Sequence, residues 1–249
     1  MRNPMDLSGR TILVTGASSG IGRQTSVVLA ELGARILLVA RRRGELEQTA
    51  RLLDPGEHRV EPFDLADLDA IPLWLKGLAE RAGPIDDLVH SAGVHFTLPL
   101  RATPSRQYAD LMRVNVDAAF FLAKGFRQKS VRRPGSTSGI VFLSSVMGLI
   151  GQAGISAYSA SKGALVSMAK SLALELAREG IRVNCVAPGV VRTEMAENAV
   201  AGADRIRGKK NNGIRAQSAC QRAWPPFGDV GGKSGSVLIT RFENGQDIL

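Results

Sequence analysis

Six short apolar segments alternate with longer amphipathic stretches, and this alternation is the feature that most constrains the fold. The segments are rich in Val, Ile and Leu and are bounded by Gly, Pro or charged residues, which is typical of β-strands. The predicted strands are Thr11–Thr15, Ile36–Ala40, Arg59–Phe63, Asp87–His90, Gly139–Ser144 and Ile181–Ala187. The predicted helices between them are Ile21–Leu32, Arg43–Leu53, Leu65–Arg81, Pro104–Lys129 and Ala157–Glu179. Apolar strands separated by helices predict one α/β domain with a doubly wound parallel sheet, whose ligands bind at the carboxyl ends of the strands.

The composition excludes disordered and fibrous chains, because 44% of the 249 residues are apolar and 22% are charged. The net charge of +9 raises the question of nucleic acid. Almost half of that excess lies after residue 200, so the body of the chain is only mildly basic. We therefore expect a small-molecule partner, no nucleic acid and, since no apolar run approaches the ~20 residues of a membrane helix, no membrane.

Cysteine and histidine usage gives no sign of a disulfide framework or a metal site. Cys185 and Cys220 are the only cysteines and lack metal-ligand spacing. The histidines His58, His90 and His95 are scattered, so we interpret them as surface or strand-end residues. A reducing, cytoplasmic compartment is the expected location.

A glycine-rich turn follows the first predicted strand and opens a helix. It reads T-G-A-S-S-G-I-G over residues 15–22. Glycines at such a junction let the backbone approach a pyrophosphate, whose charge is favourable at a helix N-terminus. The turn therefore favours a dinucleotide site, and the alternative is a plain glycine-rich turn. The candidate binding residues are Gly16, Ser18, Ser19, Gly20, Ile21 and Gly22.

The end of the second strand indicates which dinucleotide is bound. An acid there would bind a ribose 2′-hydroxyl, but the chain has Ala40 followed by Arg41, Arg42 and Arg43. A guanidinium pairs with a 2′-phosphate, so Arg41 favours NADP(H) over NAD(H). The alternative is a solvated basic turn, because three successive arginines do not show which one points inward.

Tyr158 and Lys162 are four residues apart in a predicted helix, so they face the same side. A nearby ammonium favours the charged form of tyrosine and lowers its pKa. Such a pair can move a proton to or from a carbonyl or alcohol near neutral pH. A packing tyrosine beside a surface lysine is the alternative.

Together these motifs resemble the short-chain dehydrogenase/reductase family from about Ser8 to Ala199, most closely its 3-oxoacyl-acyl-carrier-protein reductase-like members. The resemblance rests on the glycine turn, S-A-G at 91–93, Asn115, Ser144-Ser145, Y-x-x-x-K at 158–162 and P-G-V-V-R-T at 188–193. It implies a Rossmann-like fold, interconversion of a carbonyl and a secondary alcohol with NADP or NAD, and a homodimer or homotetramer.

The resemblance also implies a role for each matching residue. Tyr158 would be the general acid or base, and Lys162 would lower its pKa and bind the nicotinamide ribose. Ser145 would hydrogen-bond the substrate oxygen, and Asn115 would hold a water of the proton relay. Asp64 would contact the adenine, and Thr193 the nicotinamide carboxamide. The remaining implied cofactor contacts are Leu65, Ser91, Ala92, Gly93, Pro188, Gly189 and Val191.

The chain departs from the family pattern in two places. Ser91 stands where the family has asparagine, so we expect the sheet contact of that asparagine to be lost or mediated by water. Within residues 200–249, residues 201–235 lack the family's C-terminal motifs and show no helical period, whereas residues 244–249 resemble the family's final strand again. Two explanations remain open for this segment, a reading-frame slip that is later restored and a divergent basic segment. A catalytically silent cofactor-binding or oligomerising protein is therefore the alternative function, and it predicts NADPH binding without turnover.

Overall fold

Six parallel strands form the centre of the computed structural model, which describes residues 5–189, 191, 193, 195, 237–243 and 246–248. They are β1 Thr11–Thr15, β2 Arg35–Ala40, β3 Arg59–Pro62, β4 Asp87–His90, β5 Ser138–Leu143 and β6 Ile181–Pro188. Their order in the sheet is β3-β2-β1-β4-β5-β6. Strand β1 pairs with both β2 and β4, so the winding direction reverses there. The predicted doubly wound α/β fold is confirmed, and the reversal creates a crevice at the carboxyl ends of β1 and β4.

Six α-helices cover the two faces of the sheet among the described residues. They are α1 Gly20–Glu31, α2 Arg43–Ala50, α3 Ile71–Ala82, α4 Ser105–Met112, α5 Ala118–Phe126 and α6 Ser156–Leu176. No helix in the described part of the chain is long and apolar enough to span a membrane.

Alternating side chains of the central strands fill two separate cores, as the period of two in a β-strand requires. Leu13 of β1 packs into the larger core with α3, α5 and α6. Its neighbours Ile12 and Val14 point to the opposite face and pack into the smaller core with α1 and α2. Both faces of β1 are therefore buried, which explains its uninterrupted apolar sequence.

Two predicted helices differ from the observed ones by more than about three residues at an end or by an interruption. The predicted helix Pro104–Lys129 is divided into α4 and α5 by a π-helical segment, Arg113–Asp117, which periodicity in the sequence does not reveal. The predicted helix Leu65–Arg81 begins only at Ile71. The residues before it form a turn in which the Ala66 amide donates to Asp64 Oδ1 at 3.0 Å, so they are not available to the helix.

The last two described strands run against the parallel sheet. Strand β7, Val237–Glu243, pairs antiparallel with β6, and β8, Gln246–Ile248, pairs antiparallel with β7. The prediction of a parallel sheet therefore holds for six strands, and the edge beyond β6 is antiparallel. The rest of the divergent segment lies outside the described residues, so the two explanations of that segment and the division of the chain at residue 200 stay predictions.

Ion pairs bind the amino ends of the central strands together, opposite the crevice. Asp86 is 2% exposed and accepts a hydrogen bond from the Thr11 amide at 2.7 Å. Arg133 donates to both oxygens of this carboxylate, at 2.7 and 3.1 Å. Arg10 pairs with Asp87 at 2.7 Å. These contacts fix the start of β1 against the start of β4.

Candidate active site

The glycine turn between β1 and α1 is so tightly packed that two of its glycines cannot carry a side chain. Gly16 has φ +68°, and a Cβ on it would lie 2.7 Å from the amide nitrogen of Ala92. A Cβ on Gly22 would lie 2.3 Å from the carbonyl oxygen of Gly16. The backbone of the turn thus closes on itself and on the segment after β4. The result is a cradle without side chains at the N-terminus of α1, which fits the pyrophosphate of a dinucleotide.

Arg23 holds this turn in place, although no motif in the sequence indicates such a role. Its guanidinium donates to the Ser18 carbonyl and, at 2.9 Å, to Thr49 Oγ1. The Thr49 hydroxyl in turn donates to the Ala17 carbonyl at 2.9 Å. Ser19 precedes α1 in an extended conformation, and Ile21 is half-buried. Helix α2 therefore supports the outer side of the turn through Thr49.

The arginines after β2 lie on the surface at the same edge of the sheet. Arg41, Arg42 and Arg43 are all exposed, and Arg43 pairs with Glu47 at 3.9 Å. In the described part of the chain Arg41 has no ion-pair partner, so its guanidinium is available to a ligand.

Asp64 and Leu65 follow the carboxyl end of β3, at the same edge of the sheet. Asp64 is exposed and Leu65 is buried. The Asp64 carboxylate accepts from the Ala66 amide, and its backbone carbonyl accepts from the Asp67 amide at 3.1 Å. The turn thus holds Asp64 at the surface, in a position consistent with contact to a ligand.

Thr15 connects β1 directly to the segment after β4. Its carbonyl accepts from the Ser91 amide and its Oγ1 accepts from the Ala92 amide, both at 3.3 Å. Thr15 Oγ1 also lies 2.9 Å from Nδ1 of His90. The link between these strands is therefore direct and uses the backbone of residues 91 and 92.

Tyr158 and Ser145 meet at the start of α6 and the end of β5. The Ser145 hydroxyl accepts from the Met147 amide at 3.1 Å, which fixes its position at the start of a short 3-10 helix, Val146–Gly148. Burial raises the pKa of Tyr158, and a hydrogen bond with Ser145 lowers it in part. Tyr158 is therefore protonated at neutral pH.

Lys162 is a buried residue of α6, 5% exposed, so the alternative of a surface lysine is wrong. Its Nζ donates to the Leu143 carbonyl at 2.8 Å and lies 5.7 Å from the centroid of the Tyr158 ring. Burial lowers the pKa of Lys162 to about 8. The structure thus places an ammonium group beside the tyrosine. The pKa of Tyr158 is raised by burial and lowered in part by Ser145, so a lowering by Lys162 stays a prediction.

Asn115 lies in the π-helical segment and joins two parts of the site. Its Oδ1 accepts from the Val94 amide at 2.8 Å, and its Nδ2 donates to the Val94 carbonyl and to Ser161 Oγ, both at 3.0 Å. A Cβ on Gly93 would lie 3.2 Å from Asn115 Oδ1 and 3.5 Å from Lys162 Nζ. Because Gly93 has no side chain, the Asn115 amide and the Lys162 ammonium both lie close to its backbone. The water-holding role of Asn115 stays a prediction.

The end of β5 is attached to α6 by a close approach that the sequence did not indicate. A Cβ on Gly148 would lie 2.7 Å from the Gly163 amide nitrogen and from the Lys162 carbonyl carbon. The Ser144 hydroxyl donates to the Lys162 carbonyl at 2.7 Å. These contacts fix Ser145 relative to α6, and with it the geometry between Ser145 and Tyr158.

The end of β6 completes the group of strand ends. Pro188 is the last residue of β6, and Gly189, Val191 and Thr193 are half-buried. A Cβ on Gly20 would lie 3.3 Å from Thr193 Cγ2, so Thr193 lies beside the glycine turn. The glycine turn, near the start of the chain, and Thr193, after the last parallel strand, therefore line one crevice.

Two histidines, which were predicted to be surface or strand-end residues, lie within the site. His90 is fully buried, its Nε2 has no hydrogen-bond partner among the described residues, and its pKa is lowered to about 3 by burial and by the Lys162 cation. His95 lies against Tyr158, with ring centroids 4.6 Å apart. The signal that could have found them is their position, immediately before and two residues after the S-A-G motif. Over the described ranges, no group of three His, Cys, Asp or Glu residues is arranged to hold a metal ion.

Comparison with known proteins identifies the family. The family model described as short chain dehydrogenase matches residues 10–204. The chain belongs to the short chain dehydrogenase family. It is 35% identical over 209 residues to the Dehydrogenase/reductase SDR family protein 7-like of Drosophila melanogaster, a match that covers 82% of this chain and 64% of that protein.

Two further similarities include an enzyme and a solved structure. The chain is 33% identical over 195 residues to 3-oxoacyl-acyl-carrier-protein reductase FabG of Vibrio cholerae, covering 78% of each protein. The structure of a gluconate 5-dehydrogenase from Burkholderia cenocepacia, in complex with NADP and tartrate, superposes with a TM-score of 0.71 at 31% identity, covering 81% of this chain and 80% of that one. The family resemblance is confirmed, and the chain is an NAD(P)-dependent oxidoreductase of the class that acts on CH–OH and C=O groups.

Proposed function

We propose that this oxidoreductase uses NADP(H) to interconvert a ketone and a secondary alcohol, with Tyr158 as the proton donor for reduction and the acceptor for oxidation. The observation that carries the proposal is the meeting of Tyr158, Ser145 and the buried Lys162 at one strand end. A bound nicotinamide dinucleotide would supply or accept the hydride. The glycine turn, Arg41 and Thr193 would hold it, and the crowded backbone at Gly16 and Gly22 fits that role.

The protonated state of Tyr158 suits it to carbonyl reduction. Because burial raises its pKa, the phenol retains its proton at neutral pH and can donate it to the substrate oxygen as negative charge develops there. Ser145 shares a hydrogen bond with Tyr158 and is fixed by the Met147 amide, so its hydroxyl is positioned to bind the same oxygen.

Lys162 would stabilise the tyrosinate that remains after proton transfer. With a pKa of about 8, the amine is mostly protonated at pH 7 and its charge lies close to the Tyr158 ring. The Leu143 carbonyl fixes its direction, since Nζ donates to that oxygen. The charge therefore favours the ionised form at the moment when the phenol loses its proton.

The catalytic part of the proposal is tested by Tyr158→Phe. We expect NADPH binding to be retained and ketone reduction to fall by about 10² to 10⁴, the usual contribution of a general acid. Binding is measured by NADPH fluorescence and turnover by absorbance. Tyr108→Phe is the control, because Tyr108 is exposed on α4. A wild-type chain that binds NADPH without turnover on a broad ketone panel would support the silent-protein alternative.

The cofactor preference is tested at the end of β2. Arg41→Ala should weaken NADPH binding about tenfold or more, since a charge-assisted hydrogen bond contributes roughly 1.5–3 kcal/mol, and should leave NADH binding unchanged. Arg43→Ala is the matched control, because Arg43 already pairs with Glu47. An equal loss for both cofactors, or no loss with NADPH, would refute the role of Arg41.

The homodimer or homotetramer stays a proposal and is supported by apolar side chains outside the core. Phe120 of α5 is 49% exposed and Leu174 of α6 is 57% exposed. A second copy covering these helices would bury both. Sedimentation of wild type and of Phe120→Asp should show an assembly that the substitution dissociates, and a wild-type monomer would contradict the proposal. The cytoplasmic location expected from cysteine usage also stays a prediction.

A further inference from the structure

An imidazole lies directly beside the tyrosine of the site. His95 belongs to the segment between β4 and a short 3-10 helix, Leu100–Ala102. Its ring meets the Tyr158 ring edge to face, with centroids 4.6 Å apart and planes at 75°. The side chain is half-buried, so part of it remains accessible.

Two sets of backbone contacts hold the segment that carries His95. On one side, the Asn115 amide binds both the N–H and the carbonyl of Val94, at 2.8 and 3.0 Å. On the other side, the Leu98 amide donates to the Gly154 carbonyl at 2.8 Å. His95 is therefore fixed from both directions, and its ring is held against Tyr158 by the fold and not by its own hydrogen bonds.

The ring nitrogens of His95 are available for a ligand. Within the described residues neither nitrogen makes a hydrogen bond, and the aromatic contact with Tyr158 uses only the ring. Burial lowers the pKa of His95, which favours the neutral imidazole at pH 7. A neutral imidazole has one N–H donor and one acceptor nitrogen. A hydroxyl group, which both donates and accepts, is the matching partner.

We propose that His95 contacts the substrate and selects ketones that carry a hydroxyl group on the carbon next to the carbonyl. The inference rests on the proposed function, because it takes the reacting oxygen to be at the Tyr158 hydroxyl. Because the His95 ring lies against the Tyr158 ring, a substrate held at the Tyr158 hydroxyl lies beside the imidazole, and we take the group that it meets to be the one on the carbon next to the carbonyl. His95 would then be a specificity-determining residue, and the preferred substrates would be α-hydroxy ketones.

The test compares acetoin with methyl isopropyl ketone, which has a methyl group in place of the hydroxyl. kcat/KM for NADPH-dependent reduction of each is measured for the wild type, His95→Phe and His95→Gln. Phe keeps an aromatic ring beside Tyr158 and removes both nitrogens, whereas Gln removes the ring and keeps a donor and an acceptor. Thermal melting of each variant shows whether the fold is retained.

The wild type should prefer acetoin, and His95→Phe should lower the ratio of the two kcat/KM values about tenfold, the loss of one hydrogen bond of roughly 1.4 kcal/mol. His95→Gln should retain most of the preference. An equal loss on both ketones would show that His95 only packs against Tyr158 and would overturn the inference, as would an unchanged ratio in His95→Phe. A wild type that binds NADPH and reduces neither ketone nor any other in a panel would refute the proposed function, and this inference with it.

Discussion

The buried His90 should make the stability of this protein depend on pH between 7.5 and 5. Burial and the Lys162 cation lower its pKa from 6.5 to about 3, so the folded chain binds no proton there at pH 5. The unfolded chain does bind one, since a free histidine is protonated below pH 6.5. The contribution of the neutral His90 is therefore complete above pH 6.5 and is lost progressively as the pH falls toward 3.

The magnitude follows from the two pKa values. A difference of one pH unit below 6.5 corresponds to about 1.4 kcal/mol, so the free energy of unfolding should fall by about 2 kcal/mol between pH 7.5 and pH 5 from this residue alone. A typical domain is stable by about 5–15 kcal/mol, so this is a measurable fraction.

The assay is urea unfolding of the wild type and His90→Asn at both pH values, because comparing the two proteins at each pH cancels every other titrating group. The stability advantage of the wild type over the variant should be about 2 kcal/mol smaller at pH 5 than at pH 7.5. Parallel pH dependences for the two proteins would show that His90 is protonated as easily in the folded as in the unfolded chain, and would refute the reasoning. His90→Gln provides a second variant where Asn prevents folding.

Three further outcomes test the packing of the site and of the opposite end of the sheet. Gly22→Ala should abolish NADPH binding in a fluorescence titration, because its Cβ would meet a carbonyl oxygen at 2.3 Å. The control is Gly44→Ala on α2, where a Cβ meets open space, and it should leave the melting temperature unchanged or raise it. Arg133→Ala should destabilise the chain to urea by roughly 1–3 kcal/mol, since the buried Asp86 loses its cation; an unchanged midpoint would contradict this. Lys162→Met should abolish turnover and raise the melting temperature at pH 7, because burial of the ammonium is unfavourable. A lower melting temperature would show that the hydrogen bond from Lys162 to the Leu143 carbonyl outweighs that cost.

The sequence predicts the strands well because their apolar side chains are dictated by burial on both faces. Asp87–His90 and Thr11–Thr15 have the predicted bounds. The glycine turn was also predictable, since only glycine fits the backbone contacts at Gly16 and Gly22. These features are local in the chain or follow from a period of two.

The features that the sequence did not reveal depend on contacts between distant segments. The π-helical turn around Asn115 interrupts a continuous helical pattern, and the amide of Asn115 reaches Val94, 21 residues earlier. His90 of β4 is buried against Thr15 of β1, its neighbour in the sheet. His95 contacts Tyr158 although the two residues lie in different elements. No pattern within one segment encodes such distances.

The antiparallel pairing of β7 with β6 has a consequence for any shortened form of the chain. The backbone of Cys185 to Pro188 is paired with residues 237–240, which are late in the sequence. A chain that stops before Val237 would leave β6 as a bare edge strand, with unpaired N–H and C=O groups beside an apolar core. Such an edge is a template for strand pairing between molecules. A fragment containing every residue of the candidate site should therefore aggregate where the full chain does not.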